Sequence, residues 1–205
     1  MRALFFGDSL VAGKGDPEGL GWVGRLPVEA PDGGRVEILN FGVPGETSSQ
    51  VLARWRAETE PALATAGETV VIFSFGANDA TEESGSLLVE PGRSRENLAA
   101  ALDGAQELEL PAMVVGPAPI ENDAQYERIL ALSDAFEAIC SESGVPFVPV
   151  ARGLIAQGDW VREARAGDGA HPRVAGYRAM TRLVQPHWER WITSSDRRPP
   201  HPPVS

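Results

Sequence analysis

The sequence predicts an α/β protein: a three-layer α/β/α sandwich around a central parallel sheet of five strands. Two observations carry this expectation. Strand-like and helix-like segments alternate from end to end, a pattern that places helices on both faces of a parallel sheet. The strand-like run Thr69 to Phe75 is continuously apolar and β-branched or aromatic, as a strand covered on both faces is.

The first strand is the apolar run Met1 to Phe6, broken by Gly7. A glycine-rich loop, Gly13 to Gly21, leads to a short helix around Trp22 to Leu26, and Val36 to Asn40 reads as the second strand. Thr47 to Thr65 carries Val51, Leu52, Trp55 and Leu63 near helical spacing. After the third strand comes a helix from Ser94 to Leu108, then a fourth strand, Met113 to Val115, ending at Gly116-Pro117. Asp123 to Ser143 is the longest helical pattern, with Ile129, Leu132, Phe136, Ile139 and Cys140 on one face and Gly144 as its stop. Val145 to Val150 reads as the fifth strand, which Pro146 and Pro149 confine to an edge. The last helix is Val174 to Ser194, where Pro186 is expected to kink or divide it. No internal repeat or domain boundary interrupts this order. Residues 1–195 are therefore expected to form one domain, and the Pro- and Arg-rich residues 196–205 a disordered tail.

The 205 residues suffice for a core of their own. A formal net charge of −11 leaves no positive footprint for a phosphate backbone, so nucleic acid is not an expected partner. Cys140 is the single cysteine, which excludes an intrachain disulfide and thiolate metal clusters. Its place on an apolar helix face reads as a small core residue. No apolar run approaches the about 20 residues that span a bilayer, and none precedes the first strand. A soluble, cytoplasmic protein is expected; the sequence does not set its oligomeric state.

Four loop segments carry the chemistry. Ser9 follows the first strand; Gly45, in Gly42 to Thr47, follows the second; Asn78, in Phe75 to Asp79, follows the third; and Asp168 and His171 precede the last helix. In a parallel sheet the first three share one rim, where ligands of open α/β sheets bind. A serine hydroxyl needs a neighbouring base before it becomes a good nucleophile. Of three histidines, only His171 has a carboxylate at short fixed spacing, Asp168 three residues before it. The Ser9 and Gly45 backbone N–H groups and the Asn78 amide are suited to hold a developing oxyanion. Asp8 and Asp79 are read as holding their turns, and Gly13 and Gly15 as allowing a tight one.

Taken together, Gly7-Asp8-Ser9-Leu10, Gly45 within Pro-Gly-Glu-Thr-Ser, Gly76-Ala77-Asn78-Asp79 and Asp168-x-x-His171 resemble the GDSL, or SGNH, hydrolase family. The blocks fall in the family's order and span residues 7 to 171. The resemblance implies a flavodoxin-like fold and metal-free, cofactor-free ester hydrolysis through an acyl-enzyme. It makes Ser9 the nucleophile, Asp168 and His171 the rest of the triad, and Ser9, Gly45 and Asn78 the oxyanion hole. Ala77 departs from the glycine many members carry there, a small change. A small-molecule ester of short to medium acyl chain is the expected substrate. Thioesters and acetylated carbohydrates remain open for the same site. The alternative of another class is a non-catalytic ligand-binding module on the same scaffold.

Two other classes fit poorly. Gly7 to Lys14 has five residues between its glycines and Gly15 after the lysine, where a phosphate-binding loop has four and a Ser or Thr. A metal-dependent phosphoesterase site generally recruits several histidines, and only His171 is placed for it. The loops expected to wall the site are 14–22, 81–91, 117–123 and 154–166. They offer Trp22, Ile120 and Trp160, with Leu87, Leu88 and Leu154, either as substrate contacts or as satellite core packed under the loops, while Glu82, Glu83, Glu121 and Asp123 make an acidic rim.

Overall fold

A computed structural model describes residues 1–27, 29, 33–120, 123–195 and 197–201. Strands β1 (Arg2–Gly7), β2 (Glu37–Gly42), β3 (Thr69–Ser74), β6 (Ala112–Val115) and β7 (Phe147–Val148) form one sheet in the order β2-β1-β3-β6-β7, every neighbouring pair parallel. Between them run helices α1 (Ser9–Ala12), α2 (Ser48–Leu63), α3 (Pro91–Glu107) and α4 (Asp123–Glu142), and after β7 come α5 (Ala151–Gln157), α6 (Asp159–Ala166) and α7 (Val174–Ile192). A short antiparallel hairpin, β4 (Glu82–Glu83) and β5 (Ser86–Leu87), follows β3. Among the described residues no helix is long and apolar enough to cross a membrane.

The alternation of side chains along a strand divides the core into two layers. Leu4, Phe6, Val71, Phe73 and Val114 face α2, α3 and α4, where Trp55, Leu98 and Phe136 cover them. Ala3, Phe5, Ile72 and Met113 face the other side and pack on Trp22, Leu154, Trp160 and the α7 residues Tyr177, Met180 and Trp188. All six residues of β3 are buried, as its unbroken apolar run requires. Cys140 is buried in the first layer, where desolvation pushes its thiol up to about 12.

Several expected elements differ from those observed, each for a local reason. Strand β7 keeps only Phe147 and Val148 of the six residues expected, since prolines on both sides cannot donate to the ladder. Helix α3 starts at Pro91 rather than Ser94, because proline is preorganised for the first helical position. Helix α7 runs unbroken through Pro186, with Tyr177, Met180, Val184, Trp188 and Trp191 buried along both halves; that packing outweighs the lost hydrogen bond. Residues 154–166 are not an open loop but the end of α5 and all of α6, divided at Gly158. Of the tail, residues 197–201 lie against the domain. Arg197 pairs with Glu68 at 2.8 Å and donates to the Ile192 carbonyl at 2.6 Å, and the His201 N–H meets the Ser143 carbonyl at 3.0 Å. Residues 202–205 lie outside the described residues.

Two glycines allow the close approach at the rim where the loops gather. A Cβ on Gly7 would stand 2.0 Å from the Ser74 carbonyl oxygen, and one on Gly42 would stand 2.2 Å from the Ala12 nitrogen. Their absence lets α1 settle directly on the end of β2, where Asn40 Nδ2 also donates to the Val11 carbonyl at 2.7 Å.

Asp8 links β1 to α1. Its Oδ1 accepts the Leu10 N–H at 2.8 Å, which caps the helix. Burial lifts its carboxyl to about 7 against the pull of that N–H, and the Asp79 carboxylate adds to the rise. A carboxyl whose value is higher in the folded protein than the about 3.9 of an unfolded chain favours folding in its protonated form. That contribution is complete below about pH 4 and is lost as pH rises through about 7. Asp8→Asn keeps the capping oxygen and removes the titration. The urea midpoint of the variant relative to wild type should therefore rise from pH 4 to about pH 7 and level off above it; parallel midpoint curves would contradict this account.

Candidate active site

Consecutive strands diverge at β1: the chain passes from β1 to β2 on one side, then returns to β3 on the other. Such a switch point opens a crevice beyond the carboxyl ends of the strands. The loops after β1, β2 and β3 all empty into it. A cleft of about 100 Å³ lies there, bordered by Ser9, Gly45, Asn78, Ile120 and His171.

Ser9 is the first residue of α1, a helix of four residues ended by Gly13 in a left-handed conformation. The Ser9 N–H is in the first turn, where no intrahelical acceptor exists. Ser9 is 6 % exposed, so its hydroxyl faces the cleft rather than bulk water.

His171 arrives from the other end of the chain. Asp168 Oδ1 accepts the N–H groups of Ala170 at 3.1 Å and His171 at 2.9 Å, which fixes the turn between them. Asp168 Oδ2 stands 2.7 Å from His171 Nδ1, and His171 Nε2 stands 2.8 Å from Ser9 Oγ. The carboxylate can only accept, so Nδ1 carries the proton and Nε2 is the free base that the Ser9 hydroxyl meets. The His171 backbone N–H, then its ring, hold the Asp168 carboxyl well below the usual carboxylate range. The anion that orients the imidazole is thus ionised at all ordinary pH.

The seat of this turn is built from three directions. Gly15, in left-handed conformation, leaves room for the chain opposite: a Cβ there would stand 2.7 Å from the Pro172 carbonyl oxygen and 2.9 Å from His171 Cβ. Tyr177 Oη donates to the Lys14 carbonyl at 2.6 Å, tying α7 to the same loop. Glu163 of α6 accepts the N–H groups of Arg173 at 2.9 Å and Gly176 at 2.8 Å, capping α7 just after His171.

The second and third loops bring Gly45 and Asn78 to the same cleft as Ser9. Gly45 is in left-handed conformation, and Glu46 beside it is held by Arg54 at 2.6 Å. Arg54 also donates to the Phe41 carbonyl at 2.8 Å. Asn78 Nδ2 donates to the Glu46 carbonyl at 2.7 Å, which spends one of its two amide hydrogens and joins the loops. A second tie runs behind them: Asp79 Oδ1 accepts the Ser48 N–H at 2.8 Å, and Asn97 Nδ2 of α3 donates to Ser48 Oγ at 2.8 Å. Asp79, Ser48 and Asn97 are each at most 1 % exposed. The arrangement has a hydroxyl in contact with a free base and an anion behind the base, as acyl transfer needs, and Gly45 and Asn78 border the same cleft.

The structure brings Ser9, Asp168, His171, Gly45, Asn78 and Ile120 together. It does not bring Trp22 and Trp160, and the expectation that they touch substrate is corrected. Both are fully buried in the α7 layer; Trp22 stacks edge-on against Phe5, and Trp160 donates its indole N–H to the Pro119 carbonyl at 2.7 Å. An indole is large enough to serve as core or as wall, and the helical fold of 159–166 decided for core. Of the acidic rim, Glu82 and Glu83 are exposed on the hairpin, while Glu121 and the Asp123 side chain lie outside the described residues. Sequence reasoning missed the bracing by Arg54, Asn97, Glu163 and Tyr177, whose partners are all set by tertiary folding. Lys14, at the start of the loop 14–22 expected to wall the site, does border the cleft.

A search of curated proteins finds no match. Solved structures do resemble the chain. An acetylxylan esterase from Geobacillus stearothermophilus superposes with a TM-score of 0.74 at 21 % identity, covering 95 % of this chain and 96 % of its own. A putative acylhydrolase from Bacteroides fragilis gives 0.67 at 22 %, covering 93 % and 88 %. A GDSL-like lipase from Bacteroides thetaiotaomicron gives 0.66 at 24 %, covering 92 % and 88 %. At such identities the likeness establishes the fold. The family itself is established by the sequence pattern of residues 5–179, which matches the GDSL-like Lipase/Acylhydrolase family. The chain belongs to that family and is a carboxylic ester hydrolase.

Proposed function

We propose that the chain hydrolyses esters of small acids, acetate foremost, through an acyl-enzyme on Ser9. The contact of Ser9 Oγ with His171 Nε2 at 2.8 Å, backed by Asp168, carries this reading. His171 takes the hydroxyl proton as Ser9 Oγ bonds to the ester carbonyl carbon. Negative charge moves to the carbonyl oxygen, which the Ser9 and Gly45 N–H groups and the remaining Asn78 amide hydrogen receive. The intermediate collapses by breaking the bond to the alkoxy oxygen, and His171 returns the proton to the departing alcohol. A water molecule then repeats the sequence on the acyl-enzyme and releases the acid. Asp168 holds the ring and stabilises the imidazolium that forms twice in each cycle.

The size of the cleft supports a short acyl group. A cleft of about 100 Å³ suits a compact group such as an acetyl better than a long chain. Acetylated carbohydrate is the alcohol component we favour, because the acetylxylan esterase of G. stearothermophilus shares the fold over nearly the whole of both chains.

Ser9→Ala should lower kcat/KM for p-nitrophenyl acetate by about 10³-fold or more with circular dichroism unchanged. Turnover within tenfold of wild type would remove Ser9 from the chemistry. Across p-nitrophenyl esters, kcat/KM should be highest for acetate or propionate and fall steadily beyond butyrate. A maximum at octanoate or longer would contradict the short-acyl assignment while leaving ester hydrolysis intact.

A further inference from the structure

A second and larger cavity, of about 220 Å³, lies behind the Asn78 loop and shares no residue with the cleft. Its walls are the hairpin side chains Leu87 and Val89, the start of α3, and Ala131, Leu132 and Ala135 of α4. Asp79 and Ala80 form the partition, since Asn78, the residue before them, borders the cleft.

The interior is apolar, and two arginines, Arg95 and Arg128, are among the residues that border it. Arg128 Nε holds the Ala80 carbonyl at 2.9 Å, and its nearest acid is the exposed Glu82 at 3.9 Å. The other neighbouring acid, Asp79, accepts the Ser48 N–H through Oδ1, while its buried Oδ2 has no hydrogen-bond partner among the described residues. Arg95 makes no ion pair with any described residue, in a chain that carries 29 acidic side chains against 18 basic ones. One arginine without an ion pair and a second whose nearest carboxylate is 3.9 Å away, beside an apolar recess, complement a molecule with an anionic head and an aliphatic body. A recess of about 220 Å³ suits a short aliphatic chain.

We propose that this cavity is a second ligand site, for an aliphatic monocarboxylate of about six carbons. The carboxylate pairs with Arg95 and Arg128, and the chain lies on Leu87, Val89 and Leu132. This is distinct from ester turnover: neither Ser9 nor His171 borders the cavity. The site abuts the reaction through the backbone of Asp79 and Ala80, which continues from Asn78.

Calorimetric titration of the intact chain with hexanoate tests the assignment, with hexanol and hexylamine as probes of the head group. Hexanoate should bind one to one with Kd of about 1 mM or tighter, at least about threefold tighter than hexanol, and hexylamine should give no heat. Arg95→Gln, at an exposed position, should weaken hexanoate at least about threefold and leave hexanol unaffected. Ala131→Trp, at another exposed position, fills the recess and should abolish binding with the fold retained by circular dichroism. Prior phosphonylation of Ser9 should leave hexanoate binding intact. Loss of binding after phosphonylation would move the acid to the cleft and overturn the proposal. So would equal affinity for hexanol, persistence in Ala131→Trp, indifference to Arg95→Gln, or absence of binding. None of these outcomes bears on whether esters are hydrolysed, which p-nitrophenyl acetate reports separately.

Discussion

The cleft depends on one constraint: β1 is paired in parallel along both edges, with β2 on one side and β3 on the other. In that register Gly7 lies level with Gly42 and Ser74, so the three strands end at one height. The turns that follow must therefore rise together from a single rim. Ser9, Gly45 and Asn78 border one cleft because three strand ends coincide. A slip of one residue in either pairing would exchange the two faces of a strand and also displace its loop. The buried runs of β1 and β3 fix the register, since Leu4 and Phe6 must meet the α2 layer while Ala3 and Phe5 meet α7.

On that rim, rigidity comes from polar ties rather than from packing. Asn78 holds Glu46, Asp79 holds Ser48, and Arg54 holds both Glu46 and Phe41. Groups that receive a developing charge act best when they need not move to do so. The imidazole side is held differently, by a turn of four residues braced at Asp168, Gly15 and Tyr177. Asp168 is half-exposed, whereas the Ser48, Asp79 and Asn97 network is buried. Of the two halves of the site, the histidine turn is thus the more open to water.

The sequence announced what is periodic or punctuated. The continuous apolar run of β3, the glycine after β1 and the Asp168-x-x-His171 spacing each have a local physical cause, so each could be read without coordinates. What resisted reading depended on partners distant in sequence. Trp160 occupies a segment whose helix forms because its ring and Leu154 find the α7 layer, so its role as core could not be seen from residues 154–166 alone. Pro186 signals a break that the surrounding buried aromatics override. Arg197 sits in a composition typical of disorder, yet Glu68, far away in sequence, gives it a partner. The fold and the reacting groups were legible in this way; the supports of the site were not.

The central claim is that the His171 imidazole, held by Asp168, makes Ser9 reactive. The most direct measurement is the rate at which a fluorophosphonate labels the native chain, with the modified residue located by mass spectrometry. The account expects a single adduct on Ser9, formed at least about 10²-fold more slowly in His171→Ala. Equal labelling rates in the two proteins, or an adduct at another residue, would contradict it.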